Sequence, residues 1–166
     1  MKEIPLSQGY KALVDDTDFE RVSQLKWYVD IKRHKDGTIK YLYASTSTYV
    51  NREKAKMRLH RFVLGVTDPS IQVDHEDHNG LNCQRYNLRK CSPQQNQANQ
   101  RRATSSKLKG ISWHKANKNW RAQIMVAGKF ISLGSFTDPL EAACAYDMAA
   151  VKHFGSFSSC NFAICD

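Results

Sequence analysis

The sequence lacks a long hydrophobic run, a leader-like N-terminus and a closely spaced pair of cysteines. No apolar segment approaches the roughly 20 residues that a membrane-spanning helix needs. Residues 1–5 contain an acid and a proline with no apolar stretch after them, which argues against a signal peptide. The five cysteines show no C-x-x-C spacing, so we expect reduced thiols rather than a zinc site. These absences predict a cytoplasmic protein with no membrane contact.

Negative charge is scarce, and one long segment has none. The chain has 25 Lys and Arg against 16 Asp and Glu, a formal charge of +9. Residues 101–133 contain eight basic residues and no acid, whereas residues 134–166 contain one lysine and four acids. Segregated positive charge predicts a polyanionic partner, usually nucleic acid. A basic solvated face is the alternative interpretation.

The first third of the chain, residues 1–56, alternates apolar and polar residues in short runs. This texture predicts a small β-rich region with strands at 9–14, 27–31 and 39–44 and a capped helix at 16–22. We find no chemistry in this region. Tyr41 and Tyr43 could stack on bases, but aromatic residues in such strands more often belong to the core.

Residues 57–100 are rich in histidine and asparagine. Their pattern predicts a short helix at 59–65, a strand at 71–75, a polar loop and a returning strand at 87–91. Ser92, Pro93 and Gln95 then form the sequence of a capping box, which predicts a helix up to about residue 100.

The remaining residues divide into a basic linker, 101–106, and a region at 107–166 with strand patterns at 110–113, 120–126 and 130–133. Asp138 and Pro139 predict the start of an alanine-rich helix that ends at Gly155. We assign the chain to the α+β class.

A carboxylate and a histidine stand side by side at the end of the strand 71–75. The carboxylate of Asp74 and the amide of Asn96 offer hard oxygen ligands suited to Mg²⁺. A neutral His75 could take a proton from an attacking water. An isolated Asp-His pair is also compatible with a capped loop and a surface histidine.

The whole segment resembles the HNH endonucleases, particularly the phage and intron-encoded homing type. The resemblance covers residues 57–100. It is carried by Leu59-His60-Arg61, Val73-Asp74-His75, Asn79-Gly80-Leu81-Asn82, Asn87-Leu88-Arg89 and Asn96.

The resemblance implies a ββα-metal finger that binds one divalent ion. This ion is expected to be Mg²⁺, which Mn²⁺ can replace. The general base then falls on His75 and the metal ligands on Asp74 and Asn96. Asn87 is implied to tie down the loop that holds the base. Two roles stay open for His60, a phosphate contact or support of the loop.

Residues 107–162 resemble the APETALA/ERF-type DNA-binding domain, a three-stranded antiparallel sheet backed by one helix. The motifs are Lys109-Gly110-Ile111-Ser112-Trp113, Trp120-Arg121-Ala122-Gln123-Ile124, Leu133-Gly134-Ser135-Phe136, residues 141–147 and Asn161-Phe162. The groove-facing positions then fall on Lys109, Ser112, His114, Arg121 and Lys129. We expect further DNA contacts from Lys118, Arg101 and Arg102. Because Ser112, His114 and Ser132 depart from the plant pattern, the plant recognition sequence is not carried over.

The hypothesis from the sequence is a sequence-guided DNA endonuclease that uses a divalent metal and a histidine base. The expected partner is double-stranded DNA, in the cytoplasm of a cell that hosts a phage or mobile element, with no small-molecule substrate. One active site per chain favours a nicking monomer over a dimer. The alternatives are a non-catalytic DNA-binding regulator and an RNA-binding protein.

Overall fold

The computed structural model describes residues 1–50, 52–100 and 108–162. The chain divides into two compact units, Met1–Cys91 and Ser92–Asp166, and both contain helices and strands. The predicted four-part division of the chain stays a prediction, and the linker 101–106 with Arg101 and Arg102 lies outside the described residues. Within the described ranges, no helix combines the length and apolar character needed to cross a membrane.

The first unit consists of three small antiparallel sheets and two short helices. The sheets pair β1 with β2, β3 with β4 and β5, and β6 with β7. Its elements are β1 (Lys2–Pro5), β2 (Lys11–Val14), α1 (Asp16–Ser23), β3 (Tyr28–Arg33), β4 (Ile39–Val50), β5 (Glu53–Arg58), α2 (Leu59–Val63), β6 (Gln72–His75) and β7 (Leu88–Cys91).

Strand β5 is missing from the sequence interpretation. Its sequence, EKAKMR, contains few apolar residues and alternates lysines with small or apolar side chains. The strand forms because the long β4 offers it a full set of backbone partners, from Ser45 opposite Arg58 to Val50 opposite Glu53. This pairing is a tertiary effect that strand propensity does not report.

The core of the first unit brings the helices against the sheets. Val14, Val22, Leu59 and Val63 are at most 1% exposed. Cys83 is buried in the same cluster, and burial raises the pKa of its thiol to about 12. Cys83, Cys144 and Cys160 are free thiols.

A buried carboxylate joins distant parts of this unit. Asp18 on α1 accepts two hydrogen bonds from Arg85, at 2.7 and 2.8 Å, and one from Arg21 at 2.8 Å. Both arginines also donate to the Val63 carbonyl at the end of α2. Asp18 therefore fixes both helices to the chain segment that leads into β7.

The second unit contains α3 (Pro93–Asn99), β8 (Ile111–His114), β9 (Asn119–Val126), β10 (Lys129–Phe136) and α4 (Pro139–Phe154). The three strands form an antiparallel sheet with β9 at its centre. Ser92 and Gln95 make the reciprocal bonds of a capping box on α3. The Asp138 carboxylate accepts from the Leu140 amide at the start of α4. The cap predictions for α3 and α4 are confirmed, whereas no side-chain hydrogen bond caps the start of α1, which was also predicted to be capped.

Small residues let α4 lie close to the sheet. Ala142 and Ala143 pack against Ile111 and Ala122 in one buried cluster. The closeness also requires glycine before β8, because a Cβ on Gly110 would lie 1.8 Å from the Tyr146 ring.

A second buried carboxylate fastens the segment after α4. Asp147 is 4% exposed and accepts from the Asn161 amide nitrogens and from the Phe162 backbone N–H at 2.9 to 3.0 Å. Asn161 in turn accepts from and donates to the Lys109 backbone. The C-terminal segment is thus held to the entrance of β8 through one side chain.

Asp147→Ala should lower the free energy of unfolding by about 2 to 3 kcal/mol, because hydrogen bonds to a charged acceptor are lost and their donors stay buried. Met148→Ala, which changes a 69% exposed neighbour on α4, should cost less than about 0.5 kcal/mol. Urea denaturation of both variants measures the difference, and equal costs would contradict the anchoring role of Asp147.

The Asp18 ion pair makes stability depend on pH. The hydrogen bond from Arg85, followed by that from Arg21, lowers the folded-state pKa of Asp18 despite its burial. Its contribution is therefore complete above the unfolded pKa of about 3.9 and is lost as the pH falls through the folded pKa.

We expect Asp18→Asn to be less stable than the unaltered chain at pH 7, with a gap that narrows below about pH 4. Thermal unfolding from pH 3 to pH 7 tests this, with Asp16→Asn, an exposed carboxylate of the same helix, as the matched control. A gap that is constant over the whole range would contradict the assignment.

Candidate active site and nucleic-acid interface

The hairpin of β6 and β7 places Asp74 and His75 at the end of a strand. In its register, Asp74 lies opposite Arg89 and His75 lies opposite Leu88. The Arg89 guanidinium donates to Asp74 Oδ2 at 2.6 Å, and both side chains are largely buried. Arg89 thereby compensates the charge of the Asp74 carboxylate.

The loop between these strands is held by the side chain of Asn87, which is 1% exposed. Asn87 Nδ2 donates to Asp77 Oδ1 at 2.9 Å and to the Asn82 carbonyl at 2.8 Å. Its Oδ1 accepts from the Asp77 backbone N–H at 2.9 Å. One amide therefore bonds to both limbs of the loop directly after His75.

Asp77 is the acidic partner in this network. Burial by itself would raise the pKa of its carboxyl, but hydrogen bonds from Asn82, the Asn79 backbone and Asn87 lower it overall. Asp77 therefore stays ionised and keeps the loop bonded at neutral pH. The neighbouring His78 is exposed, with a left-handed φ of 64°.

The loop also lies directly on β4. A Cβ on Gly80 would approach the Leu42 carbonyl oxygen to 2.1 Å and the Tyr43 ring to 2.8 Å. Only glycine permits this close contact. The contact joins the loop after His75 to the sheet of β3, β4 and β5.

His75 lies in an aromatic environment. Its ring centroid is 4.9 Å from that of His60, which meets it edge-on, and 5.8 Å from that of Tyr43. His75 is 6% exposed. Burial lowers its pKa to about 4, against the raising effects of Asp77 and Asp74. The imidazole is consequently neutral at pH 7.

His60, at the start of α2, is even more enclosed. It is 3% exposed, its ring lies 5.3 Å from that of Tyr43, and burial lowers its pKa well below the ordinary value. Its Nδ1 has no hydrogen-bond partner in the described part of the chain. Such burial favours the second of the two roles left open, support of the His75 loop.

The predicted donor set for a metal is Asp74 and Asn96. A carboxylate with an amide oxygen suits a hard divalent cation that keeps water and phosphate as its other ligands. Asp74 belongs to the first unit, whereas Asn96 is half-buried on α3 in the second, and their joint ligation stays a prediction. The described residues contain no cluster of three or more His, Cys, Asp or Glu of the kind that holds a metal alone.

The sheet of the second unit presents one face away from α4. Ser112 and Ser135 lie opposite Arg121 in the register, and His114 lies opposite Asn119. Because residues directly across a pair share a face, Ser112, His114 and Arg121 lie together. Gln123, one strand period beyond Arg121 and exposed, joins this face, although the sequence interpretation did not include it.

The predicted lysines are placed differently. Lys109 donates to the Ala98 carbonyl, and its ammonium lies 6.0 Å from the Tyr146 ring centroid. Lys129 lies opposite Val126, a residue that packs toward α4. Lys118 lies in the turn before β9 with φ 49°. The strand register thus places Ser112, His114 and Arg121 on one face of the sheet. It does not place these lysines on that face.

The sequence interpretation gave no role to Tyr43, Arg58 and Arg89, which lie near Asp74 and His75. Arg89 was visible in the motif Asn87-Leu88-Arg89, and the antiparallel pairing of two short strands could have placed it opposite Asp74. Tyr43 and Arg58 carry no local signal, because Tyr43 lies on β4, Arg58 lies on β5, and both are distant in sequence from His75.

No family model matches the chain. Over 159 residues, 93% of its length, the chain is 31% identical to an Acanthamoeba polyphaga mimivirus protein named Uncharacterized HNH endonuclease and covers 76% of that protein. A stretch of 61 residues is 39% identical to an ethylene-responsive transcription factor of Arabidopsis thaliana and covers 14% of it. A stretch of 59 residues is 39% identical to Protein 3.8 of Escherichia phage T7 and covers 49% of it.

These matches differ in what they establish. The likeness to the plant factors concerns the C-terminal part of the chain, and only a small share of each plant protein. The mimivirus match extends over most of both proteins and includes the hairpin of Asp74 and His75, the Asn87 loop and the three-stranded sheet. The chain therefore belongs to the HNH endonucleases.

Proposed function

We propose that this protein is a divalent-metal-dependent DNA endonuclease in which His75 is the general base. The observation that carries the proposal is the buried, neutral imidazole of His75 beside the Asp74 carboxylate. A base must be unprotonated to act, and burial keeps His75 in that form at pH 7.

In the proposed reaction, His75 takes a proton from a water molecule as the water oxygen attacks the phosphorus. The bond between phosphorus and the 3′ oxygen breaks, and the leaving 3′ oxygen takes a proton from solvent water. The products carry a 5′-phosphate and a 3′-hydroxyl. Asp74 and Asn96 would hold the divalent ion, which supplies positive charge to the phosphate and the leaving oxygen.

The other residues of the hairpin position this base. Asn87 closes the loop after His75 through its three bonds. Arg89 holds the Asp74 carboxylate in one orientation and compensates its negative charge. An ordered base and ligand avoid the reorganisation that would otherwise slow the reaction.

We propose that the exposed face of β8, β9 and β10 binds DNA and directs the nuclease to its site. Arg121 and Gln123 are exposed and separated by one strand period, and these residue types form bidentate bonds to guanine and adenine in the major groove. Ser112 and His114 supply neighbouring polar contacts. With one catalytic set per chain, we propose that the protein nicks one strand.

Three variants test the mechanism. His75→Ala should reduce single-turnover cleavage about 10²- to 10⁴-fold, the usual cost of losing a general base, with DNA affinity nearly unchanged. Asp74→Ala and Asn96→Ala should also lose cleavage, and raised Mg²⁺ should restore little of it because a ligand is missing. Plasmid nicking and DNA binding with and without Mg²⁺ measure these effects.

The matched control is His153→Ala, which removes an exposed histidine on α4 and should cleave normally. Normal cutting by His75→Ala would overturn the mechanism. Tight, specific DNA binding without any metal-dependent cutting by the unaltered chain would favour the alternative, a non-catalytic regulator.

DNA binding by this face should depend on salt concentration. Binding should weaken steeply with salt, and Arg121→Ala should flatten the log–log slope by about 0.9 if Arg121 contacts one phosphate, or relax base preference if it contacts a base. Lys152→Ala, an exposed cation on α4, is the control of equal charge. Identical behaviour of the two variants would contradict the assignment of this face.

A further inference from the structure

Arg58, the last residue of β5, is a half-buried cation that has no carboxylate partner within the part of the chain that the structure describes. The first unit has two other described half-buried arginines. Arg61 donates to the carbonyls of Asp68 and Ile71, and Arg89 pairs with Asp74. Among the described residues, the Arg58 side chain makes neither an ion pair nor a hydrogen bond, and its guanidinium lies over two aromatic rings. No described residue therefore uses its guanidinium donors.

Two tyrosines fix the position of this guanidinium. Its carbon lies 4.6 Å from the Tyr43 ring centroid and 5.9 Å from that of Tyr41, and the two rings are 5.1 Å apart. A guanidinium over an aromatic face keeps its edge donors available. The contact therefore orders Arg58 without consuming its hydrogen-bonding capacity.

The same tyrosine connects Arg58 to the catalytic histidine. The register places Ser45 opposite Arg58, and Tyr43 is the next residue along β4 on that face. The Tyr43 ring lies 5.8 Å from His75. The guanidinium of Arg58 and the imidazole of His75 therefore both lie beside the Tyr43 ring.

We propose that Arg58 binds a phosphate of the DNA strand that His75 cleaves and holds it beside the imidazole. This inference rests on the proposed nuclease function and extends it to a substrate-binding residue. A phosphate provides the anion that the described surroundings of Arg58 lack, and its oxygens match the paired donors of a guanidinium. A partly desolvated cation without a partner is otherwise costly.

The competing role for Arg58 is a structural one, as support for the Tyr43 ring. A structural role requires the stacked side chain but no DNA contact. It would therefore change stability without changing the dependence of DNA binding on salt. The two roles separate in measurements that do not require catalysis.

The experiment compares Arg58→Gln and Arg58→Lys in the full chain, with Lys26→Ala as the control. Lys26 is an exposed cation of the same unit that lies just before β3. Arg58→Gln should reduce single-turnover cleavage of a DNA duplex about 100-fold, the usual order for one lost electrostatic contact in a reacting site. Arg58→Lys should recover part of the rate because charge returns without the two-donor geometry. Lys26→Ala should cleave normally.

The second measurement is DNA binding in the presence of a chelator, so that no strand is cut. Arg58→Gln should flatten the salt slope by about 0.9, the value for one lost phosphate contact, while Arg58→Lys and Lys26→Ala should keep it. Arg58→Gln with an unchanged slope would overturn the proposal, whether its cleavage is normal or is lost together with thermal stability. Failure of the unaltered chain to cleave with any divalent metal would instead refute the nuclease proposal, and the binding measurement would still test Arg58 separately.

Discussion

The buried amide of Asn87 is the interaction on which the candidate site depends. It has three bonds and is almost fully excluded from solvent, so the loop that follows His75 has one closed conformation. The opposite side of that loop pairs with β2, through bonds from Leu13 to Leu81 and from Cys83 to Leu13. A loss of the Asn87 bonds would leave buried polar groups unsatisfied in the centre of the first unit.

The sequence predicts those parts of the fold that have local causes. The capping box at Ser92 and the cap at Asp138 are confirmed, because a cap depends on residues within one helical turn. The hairpin strands of Asp74 and Arg89 follow from short apolar runs on either side of a polar loop. Strand β5 escaped prediction because its formation depends on the length of β4 rather than on its own composition.

The sequence suggests which residue types form the candidate site, but it says little about what surrounds them in the fold. A motif of residues in one segment identifies Asp74, His75 and Asn87. It does not reveal that His75 is enclosed by Tyr43 and His60, since these residues come from separate strands and helices. That enclosure lowers the pKa of His75. The low pKa could not be inferred from the Asp74-His75 dipeptide alone. Likewise, only the strand register shows that Gln123 lies on the same face as Arg121 and that Lys129 does not.

The burial of Cys83 has a practical consequence for how this protein's motions can be followed. Thiol reagents act on the thiolate, and a pKa of about 12 leaves almost none of it at neutral pH. Cys144, by contrast, is exposed on α4. Alkylation of Cys144 therefore proceeds from the native state, whereas alkylation of Cys83 waits for an opening of the first unit. The rate of Cys83 alkylation relative to that of Cys144 therefore reports how often the core opens beside the loop that follows His75.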